Sequence, residues 1–70
     1  MLFYACEIMD DESYFLYVDP DEEFVDEAAE NELSVVDHDR CVKGTVEAES
    51  INGAVDLIQQ GKWVRHEGTD

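Results

Sequence analysis

Asp21, Glu22, Glu23, Asp26, Glu27 and Glu30 place six carboxylates within ten residues. On a helix the rows Glu22–Asp26–Glu30 and Glu23–Glu27 each repeat at about 6 Å, one charge per turn. A helix from Pro20 to about Asn31 spans roughly 18 Å and carries one negative charge per about 3 Å. A nucleic-acid strand carries one per about 3.4 Å, and a duplex one per about 1.7 Å. The chemistry this spacing can do is electrostatic recognition. Such a helix can stand in for a phosphate backbone against a groove lined by Arg and Lys.

The rest of the chain sharpens that field. Residues 1–39 hold fourteen Asp and Glu and no Lys or Arg, so they carry −14 of the net −15. All four cations, Arg40, Lys43, Lys62 and Arg65, come later, beside five acids. A field of this sign repels nucleic acid and anionic lipid and attracts a basic protein surface. The i, i+4 pairs Glu22–Asp26, Glu23–Glu27 and Asp26–Glu30 each cost roughly 0.2–0.5 kcal/mol, and lysines there would serve the fold better. Glu30 and Glu32 also stand at the wrong end of the helix dipole. Two blander readings compete: a solvated face, and adaptation to high salt, where excess acid and scarce lysine are general. Salt adaptation acidifies a whole surface, whereas residues 40–70 are nearly neutral.

Other chemistries are less well provided for. His38 and Cys41 have H-x-x-C spacing, and Cys6 with His66 would complete a Cys2His2 zinc set, but neither half has a second local pair. Asp19, Asp21, Glu23, Glu27 and Glu30 fall on the carboxylate positions of a calcium loop. Its required glycine is Phe24 and its second position is Pro20, so the loop fails. There is no nucleophile motif, glycine-rich phosphate loop or HExxH. Trp63, Tyr14, Phe15 and Tyr17 lack surrounding cations, which favours core or protein-interface roles over base stacking. No cofactor and no enzymatic activity are expected.

Elements to position the acids can be read along the chain. Leu2 to Met9 alternates at period two, Asp10-Asp11-Glu12-Ser13 is a polar turn, and Tyr14 to Val18 is aromatic and β-favouring, so the first two segments predict a hairpin. Apolar residues on both faces of the second strand point to a central position or a face kept for a partner. Asp19 is the expected helix cap, with Pro20 at the first helical position and Glu22 at the third. Phe24, Val25, Ala28 and Ala29 form the expected buried stripe. Leu33-Ser34-Val35-Val36 predicts a third strand, paired as a hairpin with Val42 to Ala48 across the Asp37–Arg40 turn. Ser50 caps a helix over Ile51–Gln60, with Ile51, Ala54, Val55 and Ile58 at i, i+3, i+4, i+7 and Gly61 ending it. Lys62 to His66 adds a final short strand. The order is ββαββαβ, an α+β domain with an antiparallel sheet and two helices on one face.

Seventy residues make one domain, of marginal stability because a chain this short buries only about 60–65% of its unfolded surface. At 44% hydrophobic residues it is nevertheless expected to fold, as a monomer or small oligomer. The first apolar residues lack a cationic n-region, and no stretch approaches the length of a membrane span, so the expected compartment is the cytoplasm. Cys6 and Cys41 are expected as buried free thiols.

Tyr14-Phe15-Leu16-Tyr17-Val18-Asp19, leading into the acidic segment, and Gly61-Lys62-Trp63-Val64-Arg65-His66-Glu67 resemble small acidic phage anti-CRISPR proteins that act as DNA mimics. These stretches cover about a fifth of the chain, and Leu33 to Glu49 has no counterpart. The resemblance implies a protein that occupies the DNA- or PAM-binding groove of a nuclease complex. The residues themselves predict an interaction protein that binds a basic nucleic-acid-binding partner, without binding nucleic acid or membrane. Its expected contacts are Asp21, Glu22, Glu23, Asp26, Glu27 and Glu30, with Asp10, Asp11 and Glu12 as an adjoining patch. The alternative is a salt-adapted protein of another role.

Overall fold

The computed structural model describes residues 1–10, 12–34 and 40–66. Its elements are β1 (Leu2–Met9), β2 (Tyr14–Asp19), α1 (Glu22–Leu33), β3 (Arg40–Glu47), α2 (Ile51–Gln59) and β4 (Val64–His66). The strands form one antiparallel sheet in the order β2-β1-β3-β4, giving an α+β fold. Among the described residues, no helix is long and apolar enough to cross a membrane.

Among the described residues the order is ββαβαβ, one strand fewer than the sequence pattern predicts. Leu33 closes α1 instead of opening a strand, because with Val25 and Ala29 it continues an i, i+4, i+8 row onto the core. Val35, Val36 and the Asp37–Asp39 turn lie outside the described residues. Among the described residues, the long strand β3 pairs with β1 on one side and β4 on the other.

The helices lie on opposite faces of the sheet, not on one. Phe3 and Ala5 of β1 pack with Leu16 and Val18 of β2, Val46 of β3, and Ala54 and Ile58 of α2. Cys6 and Ile8 pack with Phe15 and Tyr17 of β2, Cys41 of β3, and Val25 and Ala29 of α1. Side chains of odd and even number point to opposite sides of a strand, so these are two half-cores separated by the sheet. This also explains the doubly apolar β2. It is an edge strand, not a central one, and both helices pack against it. Burying Ile8, Val25 and Ile58, each at most 2% exposed, contributes about 1.5–3 kcal/mol apiece.

Local chemistry fixes the ends. The Ser50 Oγ accepts the Gly53 N–H at 3.1 Å and starts α2. At its far end Gly61 takes φ 78°, and the N–H groups of Lys62 and Gly61 reach the carbonyls of Leu57 and Ile58 at 2.8 and 3.0 Å. That is a Schellman turn, which only glycine makes without strain. It turns the chain so that Trp63 packs over Gly44 of β3. Any side chain at Gly44 would meet that ring.

Candidate partner-binding face

The acidic helix starts two residues later than its sequence suggests. Asp21, not Asp19, is the cap, its carboxylate accepting the Glu23 N–H at 3.0 Å. Asp19 instead accepts the Asp21 N–H at 2.9 Å, and Pro20 sits in the turn between them. Both carboxylates are good acceptors, and two nested turns satisfy more backbone donors than one cap. At the other end the Ser34 N–H bonds the Glu30 carbonyl, and its hydroxyl donates to the Asn31 carbonyl at 2.8 Å.

Val25 and Ala29 bury the sheet-facing side of α1. Successive residues step about 100° round a helix, so Glu23, Glu27 and Glu30 form its outermost face. Glu22 and Asp26 lie on the flank toward β3. Asp21, Glu22, Glu23, Asp26, Glu27 and Glu30 are all exposed, five of them on α1 and Asp21 at its cap. The buried stripe is narrower than predicted: Ala28 is half-buried and Phe24 is 54% exposed. Phe24 was the residue that sequence reasoning misplaced. Its spacing from Ala28 matches a core stripe, but β2 is the edge strand of the sheet and more than half of Phe24 stays exposed.

The adjoining patch is less available. The Asp10 carboxylate folds back on its own turn, accepting the N–H groups of Glu12 and Ser13 at 2.8 and 2.6 Å. Glu12 is exposed, and Asp11 lies outside the described residues. Leu33 at the C-terminal end of α1 packs on the same half-core as Ile8, near the end of β1 that leads into this turn, so the turn lies toward that end of α1 and away from Asp21.

Among the described residues, few of the acids are ion-paired. Lys43 pairs with Asp26 at 3.3 Å, and the Met1 ammonium pairs with Glu47 at 3.0 Å. Glu32 and Glu7 are held instead by tyrosines: the Tyr17 hydroxyl donates to Glu32, and the Tyr14 hydroxyl donates to Glu7 at 2.7 Å. Beside the Lys43–Asp26 pair an open groove of about 320 Å³ runs between α1 and strands β1, β3 and β4. Tyr4, Glu22, Thr45 and His66 also line it.

Cys6 and Cys41 converge, with their Sγ atoms 3.5 Å apart, and both are free thiols. Cys6 is buried as expected, whereas Cys41 is only partly so. His38 lies outside the described residues, and His66 faces Lys43 on β4. Among the described residues, no three His, Cys, Asp or Glu side chains come together to hold a metal ion.

Comparison with protein-family models, curated proteins and solved structures gives no match.

Proposed function

We propose that this chain is a non-enzymatic interaction protein whose helix α1 binds a basic, nucleic-acid-binding protein surface and blocks it, as an anti-CRISPR or anti-restriction inhibitor would. The observation that carries this reading is the outermost face of α1. Glu23, Glu27 and Glu30 stand exposed on a helix capped at its N-terminus and seated by Val25 and Ala29. Their spacing is therefore set before a partner arrives, and preorganised charge loses less on binding. Phe24 lies about 60° round the helix from Glu27 and supplies an apolar anchor beside the charges. Encounter is steered by opposite fields and weakens with salt.

The test is capture of a partner from a lysate, followed by competition of that partner with DNA or RNA. Glu27→Lys with Glu30→Lys should abolish capture while keeping the fold. The substitutions create attractive Glu23–Lys and Asp26–Lys pairs at i, i+4, each worth about 0.2–0.5 kcal/mol. Phe24→Ala should weaken capture without loss of stability. A captured partner that retains full nucleic-acid binding refutes mimicry. Unchanged capture by the double variant makes the face merely solvated. Stability that climbs continuously into molar KCl then marks salt adaptation, since ordinary screening saturates when the Debye length falls to about 3 Å.

A further inference from the structure

We propose that Cys6 and Cys41 are a reversible redox site, closing to an internal disulfide that staples β1 to β3 and closes the loop holding the acids between them. Cys6 on β1 stands opposite Lys43, and Cys41 on β3 stands opposite Ile8, so the two thiols are diagonal neighbours on the same face. Their sulfurs already touch at 3.5 Å and need to close to about 2.05 Å. They are the two cysteines of the chain, so one internal bridge is possible.

The two sulfurs differ in access, and that assigns their order of reaction. Cys6 is completely buried, and burial followed by the Cys41 hydrogen bond pushes its thiol up to about 12. Cys41 is partly exposed and meets the oxidant first. With a peroxide, the Cys41 sulfur attacks one oxygen, the O–O bond breaks, and the departing hydroxide is protonated to water. Cys41 is left as the sulfenic acid. The Cys6 sulfur then attacks the Cys41 sulfur, the S–O bond breaks, and the Cys6 proton leaves with hydroxide as a second water. Two thiols lose two electrons and two protons, and the peroxide becomes two waters. A dithiol reductant reverses the bridge by exchange.

The loop so closed contains β2, α1 and all fourteen acids of residues 1–39. Cross-linking removes entropy from the unfolded chain, where this polyanion is most expanded. The oxidised protein is therefore the more stable one.

The experiment treats the reduced, folded chain with hydrogen peroxide and, separately, with oxidised glutathione. Intact mass, free thiols after denaturation and Tm are then measured. The expected product has lost two hydrogen atoms, has no free thiol, carries no glutathione, and melts on the order of 10 °C higher until dithiothreitol is added. Cys6→Ser should trap a glutathione adduct on Cys41, whereas Cys41→Ser should leave Cys6 unmodified. Two free thiols after either treatment, a lasting adduct on Cys41 in the unsubstituted chain, a covalent dimer, or a lower Tm for the bridged form would each overturn the proposal.

Discussion

The Lys43 ammonium on β3 lies 3.3 Å from the Asp26 carboxylate on α1, the one ion pair between two side chains among the described residues. It ties the acidic helix to the half of the chain that holds the cations. Both side chains are about half exposed, at 53% and 51%. Burial pulls the Lys43 ammonium down, but the hydrogen bond and charge of Asp26 outweigh it and leave it above its ordinary value. The pair therefore contributes stability below about pH 10.4 that is lost as pH rises through the raised folded value. Exposed pairs contribute about 0.2–1 kcal/mol, so Lys43→Gln should lower the urea-unfolding free energy by less than about 1 kcal/mol. The loss should shrink in molar salt. A larger, salt-independent loss would show that Lys43 packs against α1 and does not merely pair with it.

Alkaline pH should destabilise the fold through three further groups. Burial, then the Glu7 hydrogen bond, raises the Tyr14 phenol well above its ordinary value. The Glu32 hydrogen bond, then burial, raises Tyr17. Burial pushes Cys6 up to about 12. In each case the folded protein binds its proton more tightly than the unfolded chain, so stability falls as pH rises. The decline should begin near the unfolded thiol value of about 8.5, steepen past the tyrosine value of about 10, and continue through the folded values. Thermal melts across this range, with tyrosinate absorbance followed in parallel, check it. Tyr14→Phe with Tyr17→Phe should flatten the upper part of the profile.

Asp21 and Asp19 offer a cleaner comparison. Asp21→Ala removes the acceptor for the Glu23 N–H and should cost about 0.5–2 kcal/mol. Asp19→Ala removes only the turn bond that precedes it and should cost less. Denaturant unfolding of the two variants decides between the caps. The reverse order would put the start of α1 back at Pro20.

These two carboxylates also show where the sequence stops being legible. Asp19 and Asp21 flank one proline, and local chemistry suits either as a cap, so the choice falls to tertiary placement. Ser50 and Gly61 had no such rivals, and both were legible from their neighbours alone. The alternation of β1 and β3 and the aromatic, β-favouring run of β2 were likewise visible. The two-sided sheet was present in the pattern as well: Phe3 and Ala5 against Cys6 and Ile8, and Phe15 and Tyr17 against Leu16 and Val18. Doubly apolar strands require cover on both faces, a requirement that outweighs the simpler picture of both helices on one side. The six acids of the helix were legible because charge needs only exposure. The convergence of Cys6 and Cys41 was not, because it depends on β3 pairing with β1 across 35 residues.

Gly44 gives the sharpest test of that pairing. A Cβ built there would stand 2.8 Å from Cε3 and Cζ3 of Trp63 and would run into the Val64 carbonyl oxygen. The ring has some freedom to tilt. The carbonyl has little, because Gly44 and Thr45 pair with Arg65 and Val64 in the ladder that holds β4 to the sheet. Alanine would otherwise be the better strand residue, since it reduces the entropy of the unfolded chain. Here overpacking should win, and Gly44→Ala should lose about 1–3 kcal/mol. For a chain of this size that corresponds to a fall in Tm of roughly 4–8 °C per kcal/mol. Displacing Trp63 from its half-core should also shift its fluorescence to the red and free the β4 amides to exchange while those of β1 stay protected. An unchanged or higher Tm would mean that Trp63 does not cover Gly44 and that β4 does not pair with β3 as described.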